Sequence, residues 1–136
     1  MKEINLEELF AKAALAAGNA YCPYSKFRVG AALLAEDGTV ITGCNVENRS
    51  YGLGICAERA AITKAICEGK RRFIAIAIAA PDSDYPVGPC GACRQVLSEF
   101  MPSTAPVYFG GNTAERVRSS IGELLPYDSL YELKDS

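Results

Sequence analysis

The sequence predicts an α/β fold, a three-layer α/β/α sandwich around a mixed, mostly five-stranded sheet, and three features carry that expectation. The run Phe73-Ile74-Ala75-Ile76-Ala77-Ile78-Ala79-Ala80 is apolar without interruption, the pattern of a central strand buried on both faces. Helical and strand patterns alternate along the chain, and a strand-helix-strand crossover joins parallel strands whose faces need covering. Glu36-Asp37-Gly38-Thr39 separates two adjacent strand patterns as a hairpin turn, which adds antiparallel pairing. A length of 136 residues fits one domain, residues 1–136.

The elements follow in order. Asn5 is placed to cap a helix with Glu8 three residues on, and Leu6, Leu9, Phe10, Ala13 and Ala17 recur at helical spacing, so the first helix is expected over residues 6–20. Pro23 closes that region, and residues 27–35 and 40–46 read as the two strands of the hairpin. A second helix spans 57–68, which carries Ala60, Ala61, Ala65 and Ile66, and Gly69 stops it. After the 73–80 strand, Pro89 and Gly91 open a third helix to about residue 101. Strands are expected at 105–109 and 115–118, and a short helix over 121–125 ends before Pro126.

Composition narrows the function. Fourteen Lys and Arg against sixteen Asp and Glu leave a net charge of −2, without the basic excess that a phosphate backbone requires, so long nucleic acid is a poor partner. The longest apolar run falls well short of the roughly 20 residues that span a bilayer. The acidic start Met1-Lys2-Glu3-Ile4-Asn5 is unlike a signal peptide, and the expectation is a cytoplasmic protein with no membrane partner. Cysteines stand at 22, 44, 56, 67, 90 and 93, and without a secretory leader they read as reduced thiols or metal ligands. The chain contains no histidine, which removes every Ser-His-Asp, Cys-His and His-zinc arrangement together.

In Pro89-Cys90-Gly91-Ala92-Cys93 two thiols sit three apart at a helix start and can chelate one ion. The free N–H groups and positive dipole end there favour the thiolate. Cys56 has the same placement on the preceding helix, and the 73–80 strand between the two helices can bring both starts to one end of the sheet. Three sulfurs leave an open coordination position, the mark of a catalytic zinc site. Cys67 lies about 16 Å along the helix from Cys56 and cannot share the ion. Cys22 and Cys44 read as small buried hydrophobes, although Cys44 stays a candidate fourth ligand. Glu58, in the first turn after Cys56, can bring a carboxylate to the open position without ligating. Arg59 can donate to the thiolates and offset their charge, and Arg94 is the rival for that role.

Cys56-Ala57-Glu58-Arg59 followed by Pro89-Cys90-Gly91-Ala92-Cys93-Arg94-Gln95-Val96 resembles the zinc box of the cytidine deaminases, in the all-cysteine form of the short, homotetrameric members. The similarity extends to Tyr24-Ser25-Lys26-Phe27-Arg28-Val29-Gly30-Ala31-Ala32-Leu33 and to Gly43-Cys44-Asn45-Val46-Glu47-Asn48. It implies one Zn2+ per subunit on Cys56, Cys90 and Cys93, with Glu58 moving protons during hydrolytic deamination of cytidine and deoxycytidine, a step of pyrimidine salvage. It further implies that Asn45 and Glu47 bind ribose, that Phe27 packs on the base and that Ala57 offers backbone groups to the pyrimidine. Asn45 and Glu47, two apart on an expected strand, would face one side in agreement with that role. Family members commonly carry an aromatic a few residues after Leu-Leu-Pro, whereas here Tyr127 follows Leu124-Leu125-Pro126 at once; Tyr51 matches a loop at subunit contacts. Other readings are a deaminase of a blasticidin-like nucleoside, an editor of polynucleotides, and a non-catalytic zinc module closed by Cys44.

Overall fold

The computed structural model describes residues 3–134; the outermost residues of the acidic start, and of the span 1–136, lie outside them. Helix α1 (Leu6–Ala17) begins where the Asn5 side chain accepts the Glu8 backbone N–H at 3.0 Å. It ends short of residue 20 because the N–H groups of Gly18, Asn19 and Ala20 each turn to the carbonyl three residues back, at 3.1 Å, tightening the last turn. Strands β1 (Gly30–Ala35) and β2 (Val40–Cys44) form the hairpin, with Gly38 at φ +92° in its turn. Both are shorter than expected at the end away from the turn: the Val29 N–H goes to the Asn45 side chain, and Val46 pairs by backbone with Ile55 instead of continuing along β1.

Helix α2 (Ala57–Cys67) stops before Gly69, which adopts φ +90°. Strand β3 (Phe73–Ala79), helix α3 (Gly91–Phe100), strands β4 (Pro106–Gly110) and β5 (Arg116–Ser120) and helix α4 (Ile121–Leu124) follow in the expected order. The sheet order is β2-β1-β3-β4-β5, parallel between β3 and β4 and antiparallel elsewhere. The apolar run is thus the middle strand of a mixed five-stranded sheet, as its composition predicts.

The two faces of β3 differ in size. Ala75, Ala77 and Ala79 meet Leu6, Leu9, Phe10 and Ala13 of α1, while Ile76 and Ile78 pack with α2 and α3. Each fully buried isoleucine stabilises the fold by about 1.5–3 kcal/mol relative to exposure. Two glycines let the helices lie directly on the sheet. A Cβ on Gly30 would stand 1.9 Å from the Ala13 carbonyl oxygen in α1, and one on Gly43 would stand 2.5 Å from Ala61 N and 2.6 Å from the Ala57 carbonyl oxygen in α2. The second contact seats the first turn of α2, where the site begins.

On the α1 side of the sheet, β5 presents Arg116 and Arg118, the latter opposite Tyr108. Arg116 stacks on the Phe10 ring at 3.8 Å and reaches Glu7 at 3.2 Å. Among the described residues no helix is long and apolar enough to cross a membrane.

Candidate active site

Helices α2 and α3 start at the same end of the sheet, and their N-cap residues are Cys56 and Cys90, both in extended backbone. Cys93 follows in the first turn of α3 and is fully buried. The three sulfurs lie within 4.8 Å of one another, and Cys56 Sγ to Cys90 Sγ is 3.8 Å. Zn–S bonds of about 2.3 Å at a tetrahedral angle separate two sulfurs by about 3.8 Å, so the spacing fits one zinc ion. Among the described residues the cluster contains no fourth ligand: Cys44 pairs with Gly30 across the hairpin, and Cys67 ends α2.

The charges favour metal binding. A hydrogen bond from Cys93, opposed by burial and aided by Arg59, brings the Cys56 thiol down to about 5, while the same bond and burial push Cys93 up. Arg59 Nη2 donates to Cys56 Sγ at 3.3 Å, and this bond raises its own affinity for its proton. Arg94 is engaged elsewhere, donating from Nε to the Pro89 carbonyl at 2.8 Å and from Nη1 to the Leu124 carbonyl at 3.2 Å.

A cleft of about 400 Å³ opens over the cluster, within the range of small-ligand sites. Cys56, Ala57, Glu58, Arg59 and Cys90 line it together with Asn45, Glu47 and Tyr51. Glu58 is 4% exposed, and burial, with the Cys56 thiolate adding to it, pushes its carboxyl up to about 7. A carboxyl poised there can both accept and return a proton near neutral pH.

Asn45 and Glu47 lie beyond the end of β2 and line the cleft with Val46 between them, in a stretch held by backbone bonds of Val46 to Ile55 and of Tyr21 to Asn45 and Glu47. Asn45 Oδ1 accepts from Val29 N and its Nδ2 donates to the Phe27 carbonyl, both at 2.8 Å. Glu47 accepts from the Tyr24 and Ser25 N–H groups at 3.1 Å and from the Ser25 hydroxyl, and the hydroxyl bond foremost lowers its pKa. Phe27 is half-buried and tied to the cleft through Asn45, without forming its wall. Tyr51 is 81% exposed at the mouth. Tyr127, 94% exposed, lines a separate cavity with Ser103 and Ile121. The walls also include Val29, Ile78, Val87 and Gly88, which no residue-type signal singles out in the sequence.

Three cysteine sulfurs with room for an open position, beside a buried carboxyl group, place the protein among zinc-dependent enzymes that activate water. Residues 3–110 match the family model described as the cytidine and deoxycytidylate deaminase zinc-binding region, and the chain belongs to that family. It is 49% identical over 123 residues to a cytidine deaminase of Sporosarcina psychrophila, covering 90% of each chain. To a cytidine deaminase of Halalkalibacterium halodurans it is 52% identical over 118 residues, 87% of this chain and 89% of that one. The crystal structure of cytidine deaminase from Burkholderia pseudomallei superposes with a TM-score of 0.87 at 44% identity, covering 92% of this chain and 99% of the other. A blasticidin-S deaminase of Bacillus cereus is more distant, 33% identical over 109 residues, 75% of this chain and 76% of that one.

Proposed function

We propose that this chain, as a single domain, removes the 4-amino group of cytidine and deoxycytidine by hydrolysis, giving uridine and deoxyuridine and releasing ammonia. The observation that carries the reading is Glu58, buried in the turn that follows Cys56 and lining a cleft of nucleoside size. Zinc held by Cys56, Cys90 and Cys93 would supply the Lewis acidity that makes water a nucleophile at neutral pH. Glu58 takes the proton of that water on a carboxylate oxygen, gives it to N3 of the cytosine ring, and carries a proton to the departing amino group. Arg59 offsets thiolate charge, and the Ala57 backbone at the helix start offers polar groups to the pyrimidine.

The remaining hydrogen-bonding capacity of Asn45 and Glu47 supports a sugar there. Asn45 has used one acceptor site of its oxygen and one amide hydrogen, which leaves one donor and one acceptor site. Glu47 has accepted three bonds of about four available to a carboxylate, which leaves one acceptor. One ribose hydroxyl, accepting from Asn45 and donating to Glu47, uses that donor and the Glu47 acceptor. Phe27 supports the base from the segment that Asn45 holds.

Cytidine is favoured over a blasticidin-like nucleoside because identity to the cytidine deaminases is near half, against a third for the antibiotic-directed relative. The exposed Tyr51, and Tyr127 outside its own chain's cleft, suit contributions to neighbouring subunits of a homotetramer. We place the enzyme in the cytoplasm, in pyrimidine salvage. The test is zinc content measured with cytidine, deoxycytidine and blasticidin S turnover, read by ammonia release. About one zinc per chain and preference for the first two are expected; preference for the antibiotic, or zinc without turnover, overturns the reading.

A further inference from the structure

The segment 24–29 enters β1 outside any helix or strand, yet each of its backbone N–H groups has an acceptor. Tyr24 and Ser25 donate to Glu47, Lys26 to the Cys22 carbonyl, Phe27 to Ser25 Oγ, Arg28 to Asp82 and Val29 to Asn45. Lys26 sits at φ +61°, a conformation a lysine holds only when its surroundings enforce it. Most of these acceptors are local or on the cleft wall. Asp82 is neither. It follows β3, the neighbour of β1 in the sheet, and takes Arg28 N–H on Oδ2 at 2.8 Å, while Arg28 Nε and Nη2 donate to its two oxygens at 3.0 and 2.7 Å.

We propose that Asp82 is a positioning residue for nucleoside binding: by gripping the backbone of Arg28 it fixes the segment whose Val29 lines the cleft and whose backbone holds the Asn45 side chain. The proposal rests on the cytidine reading above. Arg28 lies between the two residues that Asn45 bonds, so the Asp82 contact and the two Asn45 contacts hold three consecutive residues from two sides. The side chains of the pair are 46% and 28% exposed, and at such exposure an ion pair alone contributes little. The backbone bond is what a surface ion pair lacks. It also survives removal of the guanidinium, so the two partners are not equivalent. The carboxylate, brought down to about 2 chiefly by the Arg28 side chain, stays an acceptor at any working pH.

The test compares Asp82→Ala, Asp82→Asn and Arg28→Ala, each with its zinc content. Asp82→Ala should raise KM for cytidine about tenfold with kcat within about twofold. Arg28→Ala should raise KM by no more than about threefold, because its N–H is retained, and Asp82→Asn should fall between, since its amide oxygen still accepts. Equal effects of the two alanine variants, or a loss of kcat at unchanged KM, overturn the proposal. Hydrogen exchange of segment 24–29 reads the clamp without any substrate: faster exchange in Asp82→Ala is expected, and unchanged exchange refutes the clamp. If the wild type does not turn over cytidine, the functional reading fails while the exchange result still decides the clamp. If Asp82→Ala does not fold, Asp82→Asn must show both a raised KM and faster exchange, and no change in either refutes it.

Discussion

Gly43→Ala tests how the sheet sets the metal centre. The new Cβ would meet backbone atoms of α2 at 2.5 and 2.6 Å, roughly 0.9 Å inside ordinary van der Waals separation. Backbone cannot rotate aside, so the first turn of α2 must move away from β2 or β2 must bend. Such overpacking costs about 1–3 kcal/mol. The lower entropy of the unfolded alanine chain offsets at most about 1 kcal/mol of it. Since Ala57 is one of the atoms struck, the shift falls on the turn that carries Cys56 and Glu58. A displacement near 1 Å in a catalytic constellation can lower turnover by about 10²-fold. We therefore expect Gly43→Ala to lose several degrees of Tm, to bind zinc more weakly in a chelator competition, and to lose about 10- to 100-fold in kcat. Leu9→Ala is the control. Leu9 is 4% exposed on α1, across the sheet, so its truncation should cost about 2–5 kcal/mol with zinc binding and kcat unaltered in the folded protein. Wild-type kcat and zinc affinity in Gly43→Ala would refute the coupling of β2 to the site.

Glu58→Gln keeps the shape and the three sulfurs, so zinc should stay bound while cytidine turnover falls by about 10²-fold or more; retained turnover would remove Glu58 from proton transfer. Cys44→Ala should leave zinc content unchanged, as Cys44 lies outside the cluster, and zinc loss would instead mark a structural four-sulfur site. Asp37 is held at about 2 by the Lys70 ammonium at 2.6 Å and by Thr39, below its ordinary 3.8. Because the folded value is the lower one, the stabilisation is present above the unfolded value and is lost as pH falls through about 2. The Tm gap between wild type and Asp37→Asn should be constant near neutrality and close below that point, and a gap independent of pH would dissociate Asp37 from this linkage.

The readable parts of the molecule are those in which local pattern and burial agree. The run 73–80 could be little other than a doubly buried strand, and it is the middle one. Cys56, Cys90 and Cys93 were legible because the chain lacks histidine and because helix starts are recognisable from Pro, Gly and the onset of periodicity. Residues 27–29 misled by their apolar alternation: they look like strand, but their N–H groups go to Ser25, Asp82 and Asn45 rather than to a neighbouring backbone. Asn45 and Glu47 line one cleft from past the end of β2, in a stretch bridged at Val46 to Ile55, an irregular backbone that strand periodicity does not describe. Asp82 could not be foreseen. It is 54 positions from the backbone group it holds, and side-chain-to-backbone bonds at that distance leave no period in a sequence. The same holds for Gly43, whose role is visible only when α2 lies on it.

The outermost strands bear on how copies of the chain can meet. An open sheet edge invites another strand to add to it, and proteins that must stay dispersed blunt their edges with charge. Here β5 carries Arg116 and Arg118, and on the opposite side Lys64 Nζ lies 3.4 Å from the Thr42 carbonyl oxygen of β2. Growth by strand addition, the route to fibres, is discouraged at both edges, whereas Tyr24, Val46, Tyr51 and Leu53 are left exposed around the mouth of the cleft. Charge thus marks the two outer strands, while the exposed aromatic and aliphatic side chains gather at the end of the sheet that holds the sulfur cluster.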